Sequence, residues 1–466
     1  MKRPALPRPE SMVTRGMVLL FLLFAMMLPG GAPIPPDTSA KLPNIIIIVL
    51  DTVRAAATSL NVPHLDTTPN LKRLARSGVV FRDAFSTHDA TPPSHFSIFT
   101  GLYNGLHSKR DRPDQSIAHH LRRLGYDSLG ISSNYNIRKA AIRSTRPFRL
   151  FISPVSAFIR RRMPDYYEGE LFENATRLMN RYSVPHNKFN KSLTLGPAPA
   201  VNAALNRLLV RVRPPALIFA NFMDAHDPYL PVGSFHRREP NLPQDFESDM
   251  RTRNLPDWMR RPEIRIEDRR KRRHFLHRLK TVDRRAWSLA DDLSRDKLEV
   301  YKKRYNEEVA YLDSQLEKTL AILESYGFLE NSLLIITSDH GESFGEEGYI
   351  THSMGNQGDK ETSRHVPMLM VPHYAPIHKT VNVDETVSIA DIAPTIYDLL
   401  GVDDTPFEEI HGDNYGKSRA RYLPPLETGG SAGRVNLDAT APALDSAADQ
   451  EAMMESLKAL GYIVDD

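Results

Sequence analysis

The chain has 466 residues, a formal charge of +3, apolar and charged fractions of 41% and 25%, and no cysteine. These values describe an ordinary soluble globular protein with one large core and a smaller appendage. They argue against global attraction to nucleic acid and exclude disulfides, thiolate zinc sites, a cysteine nucleophile and lipidation at a cysteine.

At the N-terminus, Lys2, Arg3, Arg8 and Arg15 precede the apolar stretch from Met17 to Leu28, which is followed by Pro29-Gly30-Gly31-Ala32. That layout over residues 1–32 predicts a signal peptide, with an uncleaved membrane anchor as the alternative. Either reading makes the protein extracytoplasmic, periplasmic or secreted, and a retained segment would associate it with a membrane.

From Pro43 to Gly130 the pattern alternates strand and helix. A strand over Ile45-Ile46-Ile47-Ile48-Val49-Leu50 ends on Asp51, a helix covers residues 68–77, and a short strand holds Val79-Val80-Phe81. After the turn Thr91-Pro92-Pro93-Ser94-His95, a helix is expected from Ser94 to Gly101. Another runs from Ser116 to Leu124, stopped by Gly125 before a strand at 127–132. Residues 140–210 read as helical surface structure with loops. A strand resumes at 216–222 and ends in Met223-Asp224-Ala225-His226-Asp227.

Residues 231–296 are rich in Arg, Lys, Asp and Glu and cannot form a core alone, so they read as a solvated insertion, or as a basic lid steering an anionic substrate. A long helix follows over 294–326, with Val309, Leu312, Leu316, Leu320 and Leu323 on one face. The strand from Leu333 runs into Thr337-Ser338-Asp339-His340-Gly341-Glu342. Further strands are expected at 367–371 and near Glu385-Thr386-Val387, then a helix from Ile392 to Leu400. Residues 416–466 read as a tail with a short helix at 451–460. Strands alternating with helices imply an α/β three-layer sandwich around a mostly parallel mixed sheet, with a smaller C-terminal subdomain.

Ligands of open α/β sheets bind outside the carboxyl ends of the strands. Asp51, Asp339 and His340 all stand at such ends, and a carboxylate beside consecutive buried aliphatics has few partners other than a cation. The turn at Thr91 adds a hydroxyl that could serve as a nucleophile beside a metal.

Taken in order, Leu50-Asp51-Thr52-Val53-Arg54, Thr67-Thr68-Pro69-Asn70-Leu71, the Thr91 turn, Met223 to Tyr229, Tyr305 to Leu316, Thr337 to Glu342, His365-Val366-Pro367 and Ile389 to Gly401 resemble the sulfatase-like branch of the alkaline phosphatase superfamily. The resemblance spans residues 43–411 and implies a catalytic domain over 43–415. It implies Asp51, Asp339 and His340 as metal ligands, with Thr91 as metal-bound nucleophile. His226 and His352 would contact or protonate the leaving group, and His95 would hold a non-bridging oxygen.

The implied cofactor is one divalent metal, zinc or manganese favoured, calcium or magnesium possible; a second would need Asp224, His226 and His352 or His365. Formylglycine is not expected, because Thr91 occupies the nucleophile position and oxidation of a threonine gives a ketone. Two departures accompany this: Thr52 replaces a second acid, and His95 replaces an arginine. The expected partner is an anionic ester, in a small molecule, glycan or lipid head group, with no nucleic acid. The expected function is hydrolysis of a phosphate or sulfate ester. The alternatives are phospho-group transfer and a degenerate domain binding anionic glycans.

Overall fold

In the computed structural model the strands are, in chain order, β1 (Asn44–Leu50), β2 (Val79–Phe81), β3 (Ala84–Phe85), β4 (Asp127–Ser132), β5 (Leu150–Ile152), β6 (Ala216–Phe222), β7 (Ser332–Thr337), β8 (Ser343–Phe344), β9 (Ile350–Thr351), β10 (Met368–Pro372), β11 (Val381–Val383) and β12 (Val387–Ser388). The α-helices are α1 (Pro69–Leu74), α2 (Thr91–Thr100), α3 (Ile117–Arg123), α4 (Ala198–Leu208), α5 (Arg295–Ser325), α6 (Glu361–Arg364) and α7 (Ile392–Leu399). The structure describes residues 42–103, 115–134, 137, 145, 147–152, 198–226, 295–346, 350–352, 361–404, 408–409 and 411–426. The predicted targeting segment, the charged insertion up to residue 294 and the helix at 451–460 therefore lie outside the described residues.

Among the described residues, eight strands form one sheet in the order β11-β2-β10-β7-β1-β6-β4-β5. β10 pairs antiparallel with both β7 and β2, whereas the pairs β1·β6, β1·β7, β4·β6, β4·β5 and β11·β2 are parallel. This is the mixed, mostly parallel sheet that the strand–helix alternation predicts. β1 lies centrally because all seven of its residues are buried, which suits a strand covered on both faces and paired on both edges.

The alternation along β1 divides the interior in two. Ile46, Ile48 and Leu50 pack with Val201 and Leu205 of α4 and with Tyr305, Val309, Leu312, Leu316 and Leu323 of α5. Ile45, Ile47 and Val49 pack with Ile98 and Phe99 of α2, Ile117 and Leu121 of α3, and Ile392 and Ile396 of α7. Helices therefore cover each face, completing the three layers. Val402 and Leu423 share the second cluster, so the described C-terminal residues pack on the same core.

The register brings the site together. Leu50 of β1 lies opposite Phe222 of β6, and Val49 lies opposite Thr337 of β7, so three parallel strands end at one level. Asp51 is locked there by its backbone N–H donating to Phe222 O at 2.9 Å.

Some expected elements shift. α2 begins at Thr91, three residues before the expected Ser94, because Pro92 and Pro93 fit the first helical turn, where an N–H has no intrahelical acceptor. The strand expected near 385–387 divides into β11 and β12, and Glu385 instead faces Arg419, Arg421 and Tyr422. β5 falls inside a region read as helical; it pairs with β4 and is only three residues long, too short to impose a period.

Candidate active site

Asp51, Asp339 and His340 are completely buried, and one potential ligand atom from each lies within 4.8 Å of the others. Asp51 follows β1, while Asp339 and His340 follow β7. Their placement is the expected one, since each closes a strand whose apolar residues can satisfy no charge.

The hydrogen bonds show which atoms are spoken for. Asp51 Oδ2 accepts from Asn134 Nδ2 at 2.9 Å and from Asn221 Nδ2 at 3.2 Å. Asp339 Oδ1 accepts from the backbone N–H of Thr52 at 3.1 Å and of His340 at 2.9 Å. Among the described residues, buried Asp51 Oδ1 and Asp339 Oδ2 have no hydrogen-bond partner. His340 Nδ1 lies 3.0 Å from Gly341 O; as an acceptor, that carbonyl requires a proton on Nδ1 and leaves the Nε2 lone pair available.

Two orphaned carboxylate oxygens and a lone-pair nitrogen around one point form a mixed O/N donor set that fits a divalent cation. Electrostatics agree: burial and the facing Asp339 charge push the Asp51 carboxyl above the usual carboxylate range. Burial and neighbouring His352 pull the His340 imidazole down to about 3, which keeps it neutral as a metal ligand must be.

Thr52 contributes through its backbone. Its φ of 62° is left-handed, unusual for a β-branched residue, and its N–H donates to Asp339 Oδ1 from that conformation. Tyr305 OH, donating to Thr52 O at 2.9 Å and accepting from Arg54 N at 2.9 Å, holds the turn.

Thr91 is the first residue of α2, nearly buried, with Oγ1 at 3.2 Å from His340 Nε2. The structure thus joins Thr91 to the acidic cluster. Pro92 and Pro93 carry no N–H, and Ser94 N–H is taken by Ala90 O at 3.3 Å. The first turn therefore offers far fewer backbone donors than an ordinary helix start, and its contribution to an anion is chiefly the dipole. Ser94 Oγ is turned to Ser86 Oγ and His88 O, away from such chemistry.

His95 is completely buried. Its Nδ1 lies 2.9 Å from Thr91 O and 3.5 Å from Asp339 Oδ2, and its Nε2 lies 3.4 Å from Asn221 Nδ2. Phe99 and Phe219 pack around the ring.

His352 and His226 join the same group. The His352 ring lies 4.4 Å from that of His340 and 4.9 Å from that of His226, and His352 Nδ1 is 3.0 Å from Glu342 Oε1. The other residues considered for a second metal point elsewhere: both oxygens of Asp224 accept Ala198 N–H at the start of α4, and His365 Nε2 lies 3.0 Å from Arg82 O. Arg54 donates to Glu342 O and Glu346 Oε1, so it braces the loop that carries Glu342.

Asn134, Asn221 and Glu342 are functional neighbours that the sequence reading did not single out. Asn221 carried a usable signal as the polar member of an otherwise apolar strand; Asn134 carried none.

The family model for sulfatases matches residues 43–402. The chain is 24% identical over 404 residues to the multifunctional alkaline phosphatase superfamily protein PehA of Trinickia caryophylli, covering 77% of this chain and 74% of that protein. It is 22% identical over 398 residues to an arylsulfatase of Clostridium perfringens, covering 77% and 75% respectively. Among solved structures, the phosphonate monoester hydrolase of Agrobacterium radiobacter superposes with a TM-score of 0.53 at 21% identity, over 84% of this chain and 79% of that one.

Proposed function

The chain belongs to the sulfatase family, a family of sulfuric and phosphoric ester hydrolases, and from that premise we propose that it cleaves a phosphate ester with Thr91 as nucleophile. The observation that carries the reading is the Thr91 hydroxyl 3.2 Å from His340 Nε2, beside two buried carboxylates with orphaned oxygens. Phosphate is preferred over sulfate because a threonine cannot become the aldehyde hydrate on which family sulfatases rely.

Asp51, Asp339 and His340 would hold one divalent cation, with zinc or manganese suited to the donor set. When bound, the cation would lower the pKa of a hydroxyl beside it and offset negative charge on the ester oxygens. The chain's own residues do the rest. Asn134 and Asn221 fix Asp51, and the backbone N–H groups of Thr52 and His340 fix Asp339. His95 is assigned to positioning: both ring nitrogens are engaged within the protein, one on the Thr91 carbonyl, so it sets the first turn of α2 and does not hold a substrate oxygen.

In-line attack forms the Thr91 Oγ1–P bond while the bond from phosphorus to the leaving oxygen breaks. The proton lost by Thr91 goes to solvent, while His352, protonated at the start with Nδ1–H held by Glu342, delivers its own proton to the leaving oxygen. His226, against the other side of His352, contacts the leaving group. Water then attacks phosphorus as the Thr91 Oγ1–P bond breaks, neutral His352 takes the proton from that water, and the Thr91 oxygen regains a proton from solvent. An alcohol in place of water would give transfer. Export is part of the same reading, resting on the basic, apolar and small-residue order of residues 1–32.

The test is turnover of an aryl phosphate, an aryl phosphodiester and an aryl sulfate by the wild type and Thr91→Ala, each reloaded with zinc or manganese. Phosphoester turnover that falls by about 10³ or more in the variant supports the reading. Retained turnover overturns the nucleophile, and a metal-loaded wild type inert on all three esters favours a binding domain.

A further inference from the structure

The opposite ends of the strands carry a second concavity. A cavity of about 180 Å³ opens between Arg122, Tyr126, Asp127, Arg149, Arg213 and Pro214. It lies at the start of β4, where Asp127 pairs with Ala216, whereas the ester site lies at the end of β6. Six residue steps along β6 separate the two, roughly 20 Å.

The cavity's charge is unbalanced. Asp127 is its acid, and that carboxylate is fully used: Oδ1 accepts from Ser128 N at 2.7 Å and from Arg149 Nε, and Oδ2 accepts from Arg149 Nη2 at 2.6 Å and Arg213 N at 3.0 Å. Arg122 and Arg213 are exposed, and among the described residues neither guanidinium has a hydrogen bond or ion pair. Two carbonyls at the end of α3 already accept: Leu121 O from Tyr126 N at 3.0 Å and Arg122 O from Gly125 N at 3.0 Å. A Cβ built on Gly125 would meet nothing within 4 Å, so the mouth is open.

We propose that this cavity is a subsite for a phosphate group, with the head group of an anionic phospholipid as its ligand. Guanidinium pairs recognise phosphate oxygens through planar, two-point hydrogen bonding that a lysine cannot supply. The lipid source is argued from chain entry: Tyr126 OH donates to Pro43 O at 2.8 Å, so the polypeptide reaches β1 beside the cavity. The basic and apolar segment 1–32 stands only residues 33–42 upstream. A membrane meeting this end would leave the ester site facing away from it.

The test compares full-length wild type with Arg122→Ala/Arg213→Ala. One arm is flotation with phosphatidylcholine vesicles and with vesicles also containing phosphatidylglycerol; the other is calorimetric titration with inorganic phosphate. An apolar N-terminal segment would bind both vesicle types, so the readout is the preference for anionic over neutral vesicles. At about 1 kcal/mol per arginine near an anionic surface, that preference falls roughly thirty-fold in the variant, while turnover of a small aryl ester is unchanged. If the vesicle preference is unchanged but inorganic phosphate binding is lost, the subsite stands with free phosphate as its ligand. If neither arm separates wild type from variant, the proposal is overturned.

Discussion

Replacing Asp339 by asparagine is expected to stabilise the metal-free protein while removing its response to metal. In the wild type, potential ligand oxygens of Asp51 and Asp339 lie within 4.8 Å, both side chains are buried, and each has an oxygen without a hydrogen bond. At an effective dielectric constant of about 20, two full charges at that separation repel by about 3.5 kcal/mol. The realised cost is smaller than for two full charges, because Asp51, whose carboxyl is pushed upward by burial and by Asp339, can take a proton instead. The asparagine keeps Oδ1 as acceptor for the Thr52 and His340 N–H groups, so the loop geometry has no reason to change. A net gain of about 1–3 kcal/mol in chelator-treated protein follows, read by urea or thermal unfolding. With zinc or manganese at a hundredfold excess over Kd, the wild type gains about 2.7 kcal/mol through mass action, and the variant, lacking one ligand, gains much less. The variant's advantage therefore shrinks when metal is added, and the order inverts where that advantage is below about 2.7 kcal/mol. A variant less stable than wild type without metal, or one with an undiminished metal shift, would refute the account of this cluster as a cation site.

Glu342→Gln keeps the size of the group behind His352 but removes its charge, so the imidazolium loses its proton at lower pH and the alkaline limb of kcat moves acidward; an unmoved limb would show that Glu342 does not govern that proton. Metal affinity is expected to rise with pH and level off only above the ordinary carboxylate range, because protons compete for Asp51, whose pKa is raised by burial, whereas His340 is already neutral. Calorimetric zinc titration between about pH 4 and 7 checks this, and an affinity flat across that range contradicts it. Gly416→Ala places a Cβ 2.2 Å from Ala390 O, behind a segment whose Gly416 N–H holds Gly101 O at the end of α2. A loss of about 1–3 kcal/mol is expected in unfolding, and a neutral result would mean that this segment moves freely.

Much of the site could be read before any coordinates. β1 and β7 are continuous apolar runs, and a residue that ends such a run can be identified from order along the chain alone, which is why Asp51, Asp339 and His340 were legible. α5 was legible for a related reason: a period of 3.6 sustained over eight turns leaves no alternative. The short edge strands β5, β11 and β12 were not, since two or three residues cannot express a period.

What the sequence alone determined was the set of groups with chemistry to perform and the strand ends that present them, because both follow from local order and burial. Tertiary structure decided which neutral groups support them. Asn221 reaches Asp51 because β6 pairs with β1 in one particular register, where a shift of one residue would turn its side chain to the other face, and Asn134 reaches it from the segment that follows β4, which pairs with β6. It also decided that His226, His340 and His352 come together in one group, and that Thr91 begins its helix beside His340. Such contacts depend on pairing and packing between segments far apart in the chain, and no pattern within one segment encodes them.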